Sequence, residues 1–534
     1  GRDGTPIPGG VHEEAPAVDG QDIIISVDIE LQQYVEDRLL ADKEGLTSNG
    51  GSSVVMDAET GEPVPAAGIE FDLVAASDIK TGDGVTLPAV LREPVDAPGP
   101  RPACLFIHGS GTSGAEDFGD IANAMASAGI VTLVPAKRND NYTVLHRDYP
   151  RFAREYGRSL DVLRGISGVD PAKTGIYAES EGTWIATILT SKRQDIAFAI
   201  LTSAPVFNGR EQMAMAVSAY THEAGAPKPV VKDMAKLMSL DYAPFDLAYA
   251  DFDADRYLKS LTMPVLVNYA QPGGSIRDDH VIATANKSGN ENVTVRYFAG
   301  NHQMRAGEGL FTPNLPLAEG YTQALENWVN GVTAGTKADG WATPQVAGAT
   351  PHQRFAAPQR TRSGIVGSLG VLAGLMVAGP VLIVMAAILG IGLTVFSWLQ
   401  TLLAGRRSVA TVRAMHATPS GLGAAQQRTL HGIAGLSAGI GTAVMVITVL
   451  LYSYMSAVGV SAVLVMPQPR LFAVGWVVLR IATMLLVVLF AWEMERVWYC
   501  RADIVGVRRV ICVMVALGTL ATLMTLAFWG LFSL

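Results

Sequence analysis

Ser180 stands where a serine could act as a nucleophile, in the stretch "GIYAESEGTWIATILTS" (175–191). An apolar, strand-like run precedes it and a helical pattern follows it, which is the setting of a nucleophile elbow. That turn is tight, so the residues two before and two after the serine must be small, and Ala178 and Gly182 satisfy this condition. The spacing predicts a nucleophilic serine; the alternative is a serine that only caps the helix.

Attack on a carbonyl carbon also needs a base for the serine proton and donors for the developing oxyanion. The stretch "PACLFIHGSGTSG" (102–114) is an apolar strand that enters a glycine-rich turn, and such a turn can aim backbone N–H groups at an oxyanion. We expect the N–H groups of Ser110 and Glu181 to be these donors. His302, in "VTVRYFAGNHQMR" (293–305), follows a late strand and is the candidate base. The alternatives are a plain strand-to-helix turn and a surface histidine.

A sheet must position these residues, and residues 67–335 have the pattern of one. Strand-like runs alternate with helical patterns; the runs are "PACLFIH", "GIVTLVP", "KTGIYAE", "AFAILTS", "MPVLVNYA" and "VTVRYFA". This alternation predicts a doubly wound α/β fold, with a parallel sheet covered by helices on both faces. Residues 207–260 are long enough to form a cap. Their methionines favour either an adaptable apolar pocket or simply a buried helix face.

These residues carry a resemblance to a known superfamily. The collinear pieces are "GVTLPAVLREP", "HGSG", "VDPAKTGIYAESEG", "IAFAILTSAPV", "LTMPVLV" and "AGNH". Residues 67–335 resemble the α/β-hydrolases, closest to bacterial esterases related to dienelactone hydrolases and serine aminopeptidases. The resemblance implies an α/β-hydrolase sheet with Ser180 as nucleophile and His302 as base. It is specific for the fold and much less specific for the substrate.

The resemblance also implies an acid after the penultimate strand, in "VLVNYAQPGGSIRDDH" (265–280). Gly273 lies near the position where members of this superfamily usually carry an aspartate. Asp278 and Asp279 come five and six residues later, and a longer loop could bring either of them to His302. The alternative is that both residues cap a following helix. Loss of the acid would leave a slow enzyme, because the acid orients the imidazole and stabilises its charged form.

Residues 1–66 form a separate small α+β segment, in which the strand-like "QDIIISVD" precedes the helical pattern "IELQQYVEDRLL". The pieces "GRDGTPIPGG", "DIIISVDIELQQYVEDRLL" and "GSSVVMDAETGEPVPAA" resemble a fragment of a class B penicillin-binding protein. That family's catalytic serine lies in an S-x-x-K motif. Residues 77–80 fit those letters, but they come too early and belong to a predicted β-hairpin with its turn at 82–84. We expect a non-catalytic remnant or a docking module.

The last third of the chain has a different composition. Residues 361–534 hold 11 arginines and three acids, which gives this part a net charge of +8. Since the whole chain has a net charge of −9, residues 1–360 have a net charge of −17. After a linker (336–362), three uncharged runs exceed the roughly 20 residues that span a bilayer, and a fourth apolar run, 471–492, is interrupted only by Arg480. They predict four transmembrane helices, at about 365–403, 431–458, 471–493 and 510–532. The first run is either one long helix, which we favour, or a hairpin broken near Gly379-Pro380.

Arginines in the connections predict the orientation of these helices. The connections "GRRSVATVRAMHATPSGLGAAQQR" and "ERVWYCRADIVGVRR" carry four arginines each, whereas "SAVLVMPQPR" carries one. The positive-inside rule places the first two connections in the cytoplasm. Residues 1–360 would then lie outside the cytoplasm, although Arg354, Arg360 and Arg362 favour the opposite orientation.

Together these patterns predict a membrane-anchored serine hydrolase that cleaves carboxylic esters, with no metal or organic cofactor. The acidic first two thirds have no basic stripe, which argues against nucleic acid as a partner. The expected partners are an ester substrate (a lipid or acylated envelope component), membrane lipid and a cell-wall protein, and the oligomeric state stays open. The alternative is a weak or inactive hydrolase-fold adaptor in the cell envelope. A transport or signalling protein is disfavoured, because no paired intramembrane charges are evident.

Overall fold

The computed structural model of the chain describes residues 71–95, 99–110, 113–140, 142–143, 146–205, 208–243, 247, 250–270, 289–307, 315–337, 340, 346–348, 364, 366–404, 424–464 and 466–532. The predicted segment 1–66 lies outside these ranges. So do Gly273, Asp278 and Asp279, the predictions for the acid.

The described strands form one nine-stranded sheet in the order β1-β2-β4-β3-β5-β6-β7-β8-β9. Their bounds are β1 Phe71–Lys80, β2 Thr86–Pro94, β3 Arg101–Ile107, β4 Val131–Pro135, β5 Val169–Glu179, β6 Ala199–Thr202, β7 Val265–Ala270, β8 Val293–Phe298 and β9 Val346–Gly348. β2 is antiparallel to both β1 and β4, and the remaining pairs are parallel. This is the doubly wound α/β sheet that the sequence predicts, with an antiparallel hairpin at one edge.

The predicted hairpin is confirmed in β1 and β2. Its turn closes with a hydrogen bond of 2.9 Å from the Thr81 N–H to the Val85 carbonyl. Gly82 and Gly84 have φ angles of 89° and 90°, which side-chain-bearing residues rarely adopt. Ser77 is therefore part of β1, the edge strand of the sheet. It does not lie after a strand, where an S-x-x-K motif would be expected.

Helices cover both faces of the sheet, and four further helices follow the sheet in the chain. Their bounds are α1 Gly119–Ser127, α2 Tyr149–Arg164, α3 Glu181–Lys192, α4 Gly209–Glu223, α5 Lys228–Lys236, α6 Asp255–Leu258, α7 Tyr321–Thr333, α8 Leu369–Ala404, α9 Ala424–Val463, α10 Pro469–Tyr499 and α11 Val507–Phe528. In β3, Leu105 and Ile107 pack with α2 and α3, while Cys104 and Phe106 pack with α1 and α7. Alternate residues of a strand face opposite sides, so a strand covered on both faces is apolar throughout.

Four helices, α8 to α11, are long and apolar enough to cross a membrane. The first apolar run forms one helix that contains Pro380. α8 and α11 approach closely at glycines: a Cβ on Gly518 would lie 3.0 Å from the carbonyl oxygen of Gly379. Small residues at such crossings let membrane helices pack backbone to backbone. Between α9 and α10, Ser437 donates a hydrogen bond to Glu493, whose side chain is fully buried.

The cap helices α4 and α5 contact one end of this four-helix bundle. The Gln468 N–H donates to the Ala224 carbonyl at 2.9 Å, and Lys236 Nζ donates to the Phe528 carbonyl at 3.1 Å. The Leu369 N–H donates to the Asp241 carbonyl at 2.7 Å. The sheet therefore lies at the end of the bundle where α8 begins and α9 ends. The C-terminal ends of α8 and α10 and the N-terminal ends of α9 and α11 lie at the other end, away from the cap.

Candidate active site

Ser180 lies on a strained turn between the end of β5 and the start of α3. Its φ of 51° and ψ of −123° are rare for a residue with a side chain, and such strain is found at functional turns. The turn is tight: a Cβ on Gly182 would lie 2.5 Å from the carbonyl oxygen of Ile107. A side chain at position 182 would therefore clash with the backbone of β3. This clash explains why the sequence pattern requires a small residue at position 182.

His302 reaches Ser180 from the loop after β8. Its Nε2 lies 2.8 Å from Ser180 Oγ, although 122 positions separate the two residues in the chain. Burial lowers the pKa of His302 to about 4, so its imidazole is neutral at pH 7. A neutral imidazole at hydrogen-bond distance can accept the hydroxyl proton.

Two residues that the sequence reasoning missed fix the loop of His302. Ser203, after β6, donates from Oγ to the backbone carbonyl of His302 at 2.6 Å, and its own φ is 51°. Asn301 Oδ1 accepts the N–H groups of Gln303 and Arg305 at 2.9 and 3.0 Å. A short polar residue after a strand is a weak signal in a sequence, because the contact that gives it a role comes from a distant loop.

The glycine-rich turn after β3 runs past Ser180. A Cβ on Gly109 would lie 3.2 Å from the Cβ of Ser180, so the backbone at this point passes beside the serine. Ser110 follows and is exposed, while His108 is fully buried, with Nε2 3.0 Å from the Pro135 carbonyl oxygen. Burial lowers the pKa of His108 to about 4, so it is a neutral residue of the core. Of the two predicted donor positions, Ser110 directly follows Gly109 in the chain and Glu181 directly follows Ser180.

The side chain of Glu181 lies in a buried cluster that the sequence did not indicate. Lys137 Nζ lies 2.9 Å from Glu181 Oε1, and the exposed fractions of these two side chains are 2% and 4%. Arg147 forms an ion pair with Glu181, and the Tyr142 and Tyr149 hydroxyls donate to it at 2.9 and 3.2 Å. Burial alone would raise the pKa of Glu181, but the two cations and the hydrogen bonds outweigh it and lower that pKa. Glu181 is therefore ionised in the folded protein.

Glu179, directly before the serine, is also buried. Burial raises its pKa to about 7, against the opposing effects of Arg305 and a hydrogen bond from Gln303. In the unfolded chain the carboxyl has its ordinary pKa of 4.5. The folded protein therefore holds this proton more tightly than the unfolded chain. This contribution to the free energy of unfolding is complete below pH 4.5 and is lost as the pH rises towards 7.

Glu179→Gln should remove this pH dependence. We expect the variant to gain stability over the wild type as the pH rises from 5 to 8, by up to about 3 kcal/mol. The measurement is the thermal unfolding midpoint of both proteins across that range, with the exposed Glu319→Gln as the matched control. A difference between Glu179→Gln and wild type that does not change with pH would contradict the assignment.

The structure thus brings Ser180 and His302 together and places the backbone of Gly109 beside the serine. No group of three or more metal-ligating side chains occurs within the described ranges. The acid remains a prediction for Asp278 or Asp279, because both lie in the segment between β7 and β8 that falls outside those ranges.

No protein-family model and no curated protein matches the chain. Among solved structures, it is similar to Est1E from Butyrivibrio proteoclasticus, with 17% identity, 49% of this chain and 100% of that chain covered, and a TM-score of 0.35. It is similar to a dienelactone hydrolase from Anabaena variabilis, with 17% identity, coverages of 49% and 97%, and a TM-score of 0.32. It is also similar to a 2,6-dihydroxy-pseudo-oxynicotine hydrolase, with 16% identity, coverages of 50% and 69%, and a TM-score of 0.34. At such values, the fold assignment rests on the chain's own strand order.

Proposed function

We propose that this protein is a membrane-anchored serine hydrolase that cleaves carboxylic esters through an acyl-enzyme. The observation that carries the proposal is the 2.8 Å contact between Ser180 Oγ and His302 Nε2, made by a serine held at a φ of 51°. A serine that only capped a helix would need neither the strained turn nor a buried histidine beside its hydroxyl.

The chemistry proceeds in two halves. Ser180 Oγ attacks the ester carbonyl carbon while His302 Nε2 takes the hydroxyl proton, and the N–H groups of Ser110 and Glu181 hold the oxyanion. His302 then gives its proton to the leaving alcohol as the C–O bond breaks, which leaves the acyl group on Ser180. Water attacks this acyl-enzyme by the same route and releases the carboxylic acid. Asp278 or Asp279 orients His302 in both halves.

The first test is ester hydrolysis by the full chain in detergent. We expect it to hydrolyse nitrophenyl esters, with a rate that depends on acyl length, and to lose this activity on reaction with a fluorophosphonate. A folded chain that neither hydrolyses any ester of the series nor reacts with the probe would contradict the proposal and favour the adaptor.

The contacts of the cap support an amphiphilic substrate drawn from the membrane surface. Ala224 and Val230 of the cap pack in one apolar cluster with Phe472 and Phe528 at the helix ends. Met213 and Met238 pack against the core of the hydrolase sheet. The cap therefore bridges the catalytic sheet and the end of the bundle. An ester with an apolar acyl chain in the adjacent leaflet would reach the site with little transfer through water.

We propose that the hydrolase sheet lies outside the cytoplasm, because the positive-inside rule assigns the arginine-bearing connections α8–α9 and α10–α11, at the other end of the bundle, to the cytoplasm. The native Cys500, in the arginine-rich connection between α10 and α11, tests this orientation. In right-side-out vesicles of a Cys512→Ser background, a membrane-impermeant maleimide should modify Cys500 only after detergent is added. Lys192→Cys, at an exposed position beside the sheet, should react without detergent. The reverse pattern would place the sheet in the cytoplasm.

A further inference from the structure

We infer that Lys137 is a positioning residue that orients and polarises the peptide unit between Gly109 and Ser110, so that its N–H can hold the oxyanion. This inference rests on the proposed esterase function and adds a residue to it. Lys137 follows β4 and is almost completely buried, with 2% of its side chain exposed.

The contacts of Lys137 define the geometry. Its Nζ donates to the carbonyl oxygen of Gly109 at 2.8 Å. Its backbone N–H donates to the carbonyl of Ser113 at 2.8 Å, at the other end of the glycine-rich turn. One lysine therefore holds both ends of the segment that carries Ser110.

The orientation follows from the planarity of the peptide bond. The carbonyl of Gly109 and the N–H of Ser110 belong to one planar unit, and in a trans peptide these two bonds point in opposite directions. Because Lys137 Nζ fixes the carbonyl, it also fixes the N–H, which must point away from the lysine. Without the ammonium this peptide could rotate, since glycine constrains the backbone only weakly.

The charge of the ammonium has a separate effect. A carbonyl that accepts a charge-assisted hydrogen bond is polarised, and hydrogen bonds in a chain strengthen one another by about 10–30% per bond. The N–H at the other end of the same peptide becomes a better donor. This matters most when negative charge develops on the substrate oxygen, so the expected gain is in the transition state and not in substrate binding.

Burial lowers the pKa of Lys137, and the carboxylate of Glu181 opposes this shift and favours the ammonium form. Glu181 Oε1 accepts from Lys137 Nζ and from the Tyr142 hydroxyl, both at 2.9 Å, while Arg147 and Tyr149 contact Oε2. The backbone N–H of Glu181 is the second proposed oxyanion donor. A single ammonium thus links the two segments that supply the donors, and sets their separation.

The test is Lys137→Met in the full chain, which keeps the length of the side chain and removes its charge. Glu181 retains Arg147 and both tyrosines in this variant, so folding should be preserved. We expect kcat for a nitrophenyl ester to fall roughly 10- to 100-fold with KM changed less than about threefold. The affinity for a trifluoromethyl ketone, which forms a tetrahedral adduct with the serine, should fall by the same factor as kcat/KM.

Two further variants complete the design. Lys192→Met, an exposed lysine at the end of α3, should leave all these constants unchanged. Glu181→Gln keeps the backbone donor and a side-chain oxygen for Lys137 but removes the counter-charge, and should lower kcat less than Lys137→Met does. It also provides a measurement if Lys137→Met does not fold.

A purely structural role for Lys137 makes a different prediction. It would lower the thermal midpoint and the yield of active protein but leave kcat per labelled serine and the affinity for the ketone unchanged, and this result would overturn the inference. Fluorophosphonate labelling of the wild type separates the two levels. No labelling of the wild type would overturn the esterase proposal itself, whereas normal labelling with an unaffected Lys137→Met would overturn only the role of the lysine.

Discussion

Ser180→Ala is expected to lower kcat for carboxylic esters by roughly 10⁴- to 10⁶-fold and to abolish labelling by a fluorophosphonate. The substitution removes the atom that would form the acyl-enzyme, and water would have to attack the ester directly. The residual rate would come from the oxyanion donors and from binding alone. The measurement compares ester hydrolysis and probe labelling of wild type and variant at equal amounts of folded protein.

Two serine controls make this result specific. Ser191→Ala, near the end of the helix that Ser180 begins, should hydrolyse and label as the wild type does. Ser77→Ala tests whether the S-x-x-K match in β1 supplies the nucleophile, and it should likewise have no effect. Labelling that persists in Ser180→Ala, or that disappears in Ser77→Ala, would place the nucleophile elsewhere.

The sequence predicts much of this fold because local periodicity decides it. β3 is apolar from Ala103 to Ile107 because both of its faces are covered there, and the sequence "ACLFI" predicts this directly. Gly82 and Gly84 predict the hairpin of β1 and β2, since few other residues adopt the positive φ angles that its turn needs. The four long helices can be predicted because their apolar runs are long enough to span a bilayer as helices.

The strand order and the cap contacts are harder to predict from the sequence. β3 lies between β4 and β5, and the crossover that this requires depends on packing between distant segments. Nothing in the local pattern around Gly225 indicates that its missing side chain makes room for Pro469, where a Cβ would approach within 2.8 Å. The contact depends on how the cap meets the bundle, so it is a property of the tertiary structure.

In the candidate site, too, some residues can be predicted from the local sequence and others depend on tertiary contacts. Ser180 and His302 can be found because their chemistry demands a particular turn and a particular order along the chain. Lys137 and the role of the Glu181 side chain could not be found in this way, although the sequence predicts Glu181 as a backbone donor. The two residues are 44 positions apart, and charged residues of these types are ordinarily exposed. Only their burial together, beside the serine, gives them a functional interpretation.

His302→Gln is expected to reduce kcat by roughly 10⁴-fold or more, because no base would remain to take the proton of Ser180. Glutamine keeps much of the size and a hydrogen-bonding group, so the loss should come from chemistry and not from unfolding. His146→Gln, a half-buried histidine in the segment before α2, is the matched control and should retain wild-type rates. A wild-type rate for His302→Gln would contradict the assignment of the base.

The combined variant gives a sharper result than either single variant. If Ser180 and His302 act as one unit, Ser180→Ala together with His302→Gln should be no slower than Ser180→Ala alone, since the base has no task without the hydroxyl. Effects that multiply would instead mean that the two residues act independently. The wild-type pH profile gives a second criterion. Because burial lowers the pKa of His302 to about 4, kcat/KM should persist below pH 6 and decline only as the imidazole becomes protonated.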